Sequence, residues 1–128
     1  MKLQVGVKAL IKNDQEKYLF MLRTKIMDGE KEACWDIPGG RIEPEEILFD
    51  ALKREINEET GLSITHDPVL LGAQDIFVPA ADLHVVRLTY TLQAEGAANV
   101  SDEHQEARWM TLEEAKAFNL DPYLRKLI

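Results

Sequence analysis

The spacing of apolar positions changes several times along the chain, and each change marks an element. Residues 3–11 (LQVGVKALI) and 17–23 (KYLFMLR) are rich in aliphatic and β-branched side chains and predict two strands. Between them Asn13-Asp14-Gln15-Glu16 has no apolar period and reads as a hairpin loop. Residues 24–33 are polar, contain Gly29 and predict an exposed loop, and Trp35 to Ile37 predict a short strand stopped at Pro38-Gly39-Gly40. Pro44 suits a first helical turn, a helical period runs from Glu45 to about Thr60, and Gly61 fits the left-handed position after a helix. Residues 69–78 and 83–94 predict two more strands, joined around Pro79-Ala80-Ala81-Asp82. In the second, Val86, Leu88, Tyr90 and Leu92 alternate with Val85, Arg87, Thr89 and Thr91, the period of a half-buried strand. A short strand is expected over 106–110, Thr111 with Glu114 forms a capping-box pattern, and Asp121-Pro122 supplies a cap and first-turn proline for a last helix. Strands with helices interspersed imply a mixed sheet covered by helices, of the α/β or α+β class.

Size and charge narrow the setting. A chain of 128 residues is expected to form a single domain over 1–128. Fifteen Lys and Arg against 23 Asp and Glu give a net charge of −8, which argues against binding a nucleic-acid polymer through a basic face. Small phosphorylated ligands remain compatible with that charge, because a bound metal ion reverses the local sign. No apolar run approaches the roughly 18 residues of a membrane helix, so no membrane partner is expected. Lys2, Gln4 and Lys8 interrupt the N-terminal apolar stretch, and Cys34 is the single cysteine; both point to a cytoplasmic protein.

The helix over 45–60 carries the candidate chemistry. Leu48, Ala51, Leu52 and Ile56 form its core-facing stripe, with Asp50, Lys53, Arg54 and Asn57 opposite. Glu55, Glu58 and Glu59 fall along the apolar arc at its C-terminal end, and their i, i+3, i+4 spacing makes them neighbours. Two like charges about 5 Å apart at an effective dielectric near 20 repel by roughly 3 kcal/mol, and the negative helix end adds to this. A divalent cation relieves the repulsion, and clustered carboxylates without Cys or His at ligand spacing favour Mg²⁺ or Mn²⁺ over Zn²⁺. The competing reading is a solvated acidic face paired with cations, but residues 43–59 hold seven acids against Lys53 and Arg54.

The surrounding residues decide between the two. Gly40 to Leu62 reads GRIEPEEILFDALKREINEETGL and matches, at every specified position, the Nudix box G-x5-E-x7-R-E-U-x-E-E-x-G-U, with U aliphatic. The chain therefore resembles the Nudix hydrolases, through a box covering 23 of its residues and more weakly through the flanking strands. The resemblance implies the Nudix α/β/α sandwich, with a mixed β-sheet between helices. It implies that Glu55, Glu58 and Glu59 ligate divalent metal, joined by the Gly40 carbonyl, that Arg54 orients Glu58, and that Glu46 supports the loop around the helix. It further implies a Mg²⁺-dependent pyrophosphohydrolase cleaving a diphosphate bond in a nucleoside diphosphate-linked small molecule by attack of water on phosphorus. Glu103, on a later loop, is the preferred added ligand or general base, with Glu106 the competing choice and His104 a bystander. For a triad of catalytic carboxylates the expectation is thus Glu58, Glu59 and Glu103, supported by Arg54.

Beyond the box the substrate clues are sparse. The ending Phe118-Asn119-Leu120-Asp121-Pro122 resembles the MutT-like members, where an Asn near the last helix reads a purine edge, so Asn119 is a candidate substrate contact and a (d)NTP is slightly favoured. Arg23 is a candidate phosphate contact, and Trp35 and Phe77 are candidates to stack on a base, each with a core or surface-strand role as the alternative. Pro79 sits near, though late for, the proline of ADP-ribose hydrolases. The alternatives are an ADP-ribose or nucleotide-sugar pyrophosphatase, or a non-catalytic nucleotide-binding domain; an intact box speaks against the latter. Cys34 does not fit the arrangement of the isoprenoid diphosphate isomerases that share the fold. Many relatives dimerise, and the sequence leaves a homodimer open.

Overall fold

The computed structural model describes residues 1–27 and 29–128; Asp28, within the loop expected over 24–33, lies outside the described residues. The elements run β1 (Lys2–Lys12), β2 (Tyr18–Arg23), β3 (Trp35–Asp36), β4 (Gly39–Arg41), α1 (Leu48–Thr60), β5 (Ser63–Ile64), β6 (Val69–Val78), β7 (Leu83–Glu95), β8 (His104–Met110), α2 (Leu112–Lys116) and α3 (Pro122–Leu127). A single 3₁₀ turn, Pro79–Ala81, joins β6 to β7. β1 lies parallel to β7 from Lys2↔Leu83 to Lys12↔Gln93, while β2, β4, β5, β6, β8 and β3 pair antiparallel with their neighbours. The sheet is therefore mixed.

Alternation along the central strands builds a core on each face. Val7, Ala9 and Ile11 of β1, with Leu19 and Met21 of β2, pack under Ala51, Leu52 and Ile56 of α1. Leu10 and Phe20 point the other way, onto Ile37, Trp35, Ala115, Leu120 and Leu124 beneath α2 and α3. This is the α/β/α sandwich expected from the sequence. Among the described residues no helix is long and apolar enough to cross a membrane.

Three local expectations are corrected. α1 begins at Leu48, not Glu45, because Glu45 takes a left-handed conformation (φ 69°) and Glu46 closes a turn onto Glu43. Gly39-Gly40 does not simply stop a strand; it opens β4, which pairs with β1 at Gly6↔Arg41 and Lys8↔Gly39. The short β5 was not expected, and it pairs with the end of β7. By contrast, Thr111 and Glu114 form a reciprocal capping box, and Asp121 caps α3 by accepting from Tyr123 and Leu124 N–H.

Candidate functional site

The apolar face of α1 does turn acidic at its C-terminal end, since Ala51, Leu52 and Ile56 are buried and so is Glu59. Gly61, at φ 72°, ends the helix with its N–H on the Asn57 carbonyl. β4 runs beside this end, and the Gly39 N–H donates to Glu59 Oε2 at 2.7 Å. Burial pushes the Glu59 carboxyl up to about 7; Lys8 and the Gly39 N–H oppose the shift, and Glu55 and Glu103 add to it. Glu55 is half-buried against Gly40, where a Cβ would meet its Cδ and Oε1 at 2.5 Å. Burial raises its carboxyl above the ordinary value, against the pull of Arg54.

Arg54 holds the rim of the site. Its Nε and Nη2 donate to Glu46 Oε2 and Oε1 at 2.8 and 2.9 Å, a two-pronged pair, and its Nη1 reaches Glu55 Oε1 at 2.9 Å. The Arg54 hydrogen bonds hold Glu46 down at about 2. Glu58, expected as the main partner of Arg54, stands at 3.4 Å and is largely exposed. It sits beyond the apolar arc because 100° per residue carries it to the solvent edge of the stripe.

Glu103 reaches the same place from the loop before β8. Its carbonyl accepts from the Thr24 N–H (3.0 Å) and hydroxyl (3.1 Å), which ties this loop to the end of β2. Lys8, Arg23, Asp36, Gly39, Glu59 and Glu103 line a cleft of about 180 Å³, with His104 on its wall. Burial holds the His104 imidazole below its ordinary value, and Lys8 adds to that effect. A second, open cavity of about 280 Å³ follows β1 and β7 past Gln4, Gly6, Lys8, Arg41 and Arg87.

Behind the cleft lies a charged network that the sequence reading missed. Asp36 is fully buried; its Oδ2 accepts from Lys8 Nζ (3.0 Å) and Arg23 Nη2 (2.6 Å), and its Oδ1 from the Ile37 N–H. Burial opposes its ionisation, but Lys8, Arg23 and Arg87 outweigh burial and hold it well below the usual carboxylate range. Arg23 Nη2 also donates to Asp121 Oδ1 at 2.8 Å, and Arg87 Nη1 approaches Asp121 Oδ2 at 3.4 Å. The available signal was Lys8, a cation interrupting the apolar run of β1. Asp36 and Asp121 offered less, because a single acid beside a turn or cap looks ordinary.

The expected substrate contacts are placed unevenly. Arg23 is in the cleft, although its guanidinium is occupied by Asp36 and Asp121. Trp35 is a core residue, edge-on to Phe118 at 5.7 Å. Asn119 is exposed, outside the lining of the cleft, and its Nδ2 donates to the Ala33 carbonyl at 3.3 Å. Cys34 is buried against Glu30, and burial pushes its thiol up to about 12. The structure does not bring Phe77 to the cleft. It stacks on His84 at 4.5 Å, opposite Leu3 on the sheet and five residues, ~16 Å, along from the Lys8 register. Glu106 is engaged by Arg108 at 2.7 Å.

Among the described residues, no three His, Cys, Asp or Glu side chains stand gathered around one point as a formed metal site. Arg54 draws on Glu55 and Glu58 while Gly39 holds Glu59, so the carboxylates are held apart. The donor set nevertheless fits a hard divalent ion. It is all oxygen, its members raise one another's proton affinity, and the Cα of Gly40 leaves the space into which Glu55 fits.

The NUDIX domain profile matches residues 2–128. The chain is 29% identical over 126 residues to the CTP pyrophosphohydrolase of Escherichia coli (strain K12), covering 95% of this chain and 86% of that protein. The solution structure of the E. coli ORF135 protein superposes with a TM-score of 0.81 at 28% identity, over 99% of this chain and 86% of that one. The crystal structure of the MutT protein from Methanosarcina mazei Go1 gives 0.82 at 26% identity, over 98% and 89%.

Proposed function

The chain belongs to the NUDIX domain family, and from that membership we propose that it is a divalent-metal-dependent pyrophosphohydrolase of nucleoside triphosphates, releasing a nucleoside monophosphate and pyrophosphate. Family and relatives make it a hydrolase acting on phosphorus-containing anhydrides. The setting of the Glu59 carboxylate carries the metal-dependent reading. Glu59 is buried with its carboxylate held by the Gly39 N–H, in a cleft that Glu103 also lines and with Glu55 near enough to raise its proton affinity, where charge is unfavourable until a cation shares it. The length of relatedness to a CTP pyrophosphohydrolase supports a triphosphate substrate.

Glu55, Glu58, Glu59, Glu103 and the Gly40 carbonyl are the groups that would hold Mg²⁺ or Mn²⁺. When bound, such an ion supplies polarisation of the phosphate and a lower pKa for the attacking water. The chain's own residues do the rest. Arg54, fixed by Glu46, holds Glu55 in place and draws loosely on the exposed Glu58. Glu103 is assigned as the base: as the water oxygen bonds to phosphorus and the bridging P–O bond breaks, its carboxylate takes the water proton. A positioned base of this kind contributes typically 10²–10⁴ in rate.

A panel of ribo- and deoxynucleoside triphosphates, ADP-ribose and diadenosine polyphosphates, assayed with Mg²⁺ and with full product analysis, tests the proposal. Pyrophosphate with a nucleoside monophosphate is the expected product pair. Two monophosphates from a bridged substrate, with triphosphates untouched, would overturn it.

A further inference from the structure

We infer that the Lys8 ammonium binds the polyphosphate of the substrate, as a fixed positive charge that the sheet itself places beside the carboxylates of α1. This rests on the nucleotide reading above and adds to it a residue outside the sequence motif.

Lys8 stands in the middle of β1, between Gly39 of β4 and Thr89 of β7. A lysine there loses rotamer freedom and most of its hydration, since only 17% of its side chain is exposed. Lys8 is not the sole partner of Asp36. Asp36 already accepts from the Arg23 guanidinium at 2.6 Å and from the Ile37 N–H at 2.8 Å. Among the described residues Lys8, Arg23 and Arg87 meet three carboxylates, Asp36, Asp121 and, 4.0 Å from Arg23 Nη1, Glu30.

Lys8 itself keeps one donor beyond these partners. Its Nζ donates to Asp36 Oδ2 at 3.0 Å and to the Ile37 carbonyl at 3.1 Å, which uses two of the three N–H donors of an ammonium. Lys8 also lines both the cleft that holds Glu59 and Glu103 and the open cavity along β1 and β7. A nucleotide with its phosphates beside the carboxylates therefore passes this side chain. The stem is pinned as well: a Cβ at Gly39 would lie 2.7 Å from Lys8 Cδ and 2.8 Å from its Cα. A donor held this way is already ordered when the phosphate arrives, so little freedom is lost on binding. Glu59 and Glu103 border the same cleft and repel a phosphate chain, and a fixed cation opposite them offsets that repulsion.

The test compares wild type with Lys8→Met, Lys8→Gln and Lys8→Arg, using whichever triphosphate of the panel wild type turns over fastest. kcat and KM are measured with Mg²⁺, thermal midpoints are recorded alongside, and binding of the product monophosphate and of its nucleoside is measured by calorimetry in EDTA. The expected result is a KM raised about 10- to 100-fold in Lys8→Met and Lys8→Gln with a much smaller change in kcat, as for loss of one charge-assisted hydrogen bond. Lys8→Arg recovers much of it, and the preference for monophosphate over nucleoside shrinks by a similar factor in the uncharged variants. If Lys8→Met unfolds, Lys8→Gln carries the test, because its amide still donates toward Asp36 and Ile37. A lowered midpoint with unchanged KM and unchanged monophosphate preference makes Lys8 a structural ion-pair partner and overturns the inference alone. Absence of pyrophosphate release from every triphosphate by wild type overturns the nucleotide reading itself.

Discussion

At Gly40 a missing side chain decides where the Glu55 carboxylate can stand. Gly40→Ala would set a methyl 2.5 Å from Glu55 Cδ and Oε1, so the carboxylate must rotate away while the core stays untouched. The expected outcome is a fall in kcat/KM of about 10²-fold, the penalty for displacing a reacting group by ~1 Å, with an unchanged thermal midpoint; steady-state kinetics and calorimetry check both. Glu58 differs in being largely exposed and only loosely drawn by Arg54. Replacing it by Gln removes a charge from the proposed ligand set without disturbing packing. Glu58→Gln should lower kcat by about 10³ or more, and a variant that hydrolyses the panel at wild-type rate would show the assignment to be wrong.

α1 links the core to the chemistry because one stripe of it does both. Ile56 is fully buried under the sheet, one residue after Glu55 and three before Glu59. Ile56→Ala should cost about 2–5 kcal/mol in a urea titration, from lost burial and the cavity left behind. Its period was legible in the sequence, as was the stop at Gly61, since both are local properties of the helix. The start was not, because Glu46 is recruited by Arg54 eight residues on, and that pair, not Pro44, fixes where the turn ends and the helix begins. β4 was hidden for a related reason. Three residues beginning Gly39-Gly40 have no pattern of their own and become a strand only because β1 lies alongside.

Across the whole molecule, Asp36 and Asp121 draw together β1, β2, β7, the end of β3 and the cap of α3 through Lys8, Arg23 and Arg87. Asp36 has its folded-state pKa depressed below the unfolded value of 3.8, so its share of stability is fully present above about pH 4 and is lost as pH falls below it. Asp36→Asn should remove that part of the acid limb and cost about 3–5 kcal/mol near neutral pH, because Lys8 and Arg23 lose a buried counter-charge. Urea midpoints of both proteins between pH 2.5 and 7 read the two effects separately. The longer strands, the helices and the carboxylate motif could be taken from the chain alone, because period, capping chemistry and i, i+3, i+4 spacing act between near neighbours, and the sandwich was implied by the resemblance that the motif carries. The contents of the cleft could not. Lys8, Asp36, Arg87 and Asp121 are separated by up to 113 positions and share one charged network only after β3, β2, β1 and β7 are assembled in that order and α3 is docked over them. The same assembly left Phe77 on an outer strand and sank Trp35 into the core, for an aromatic residue's place depends on which face its strand turns to the helices.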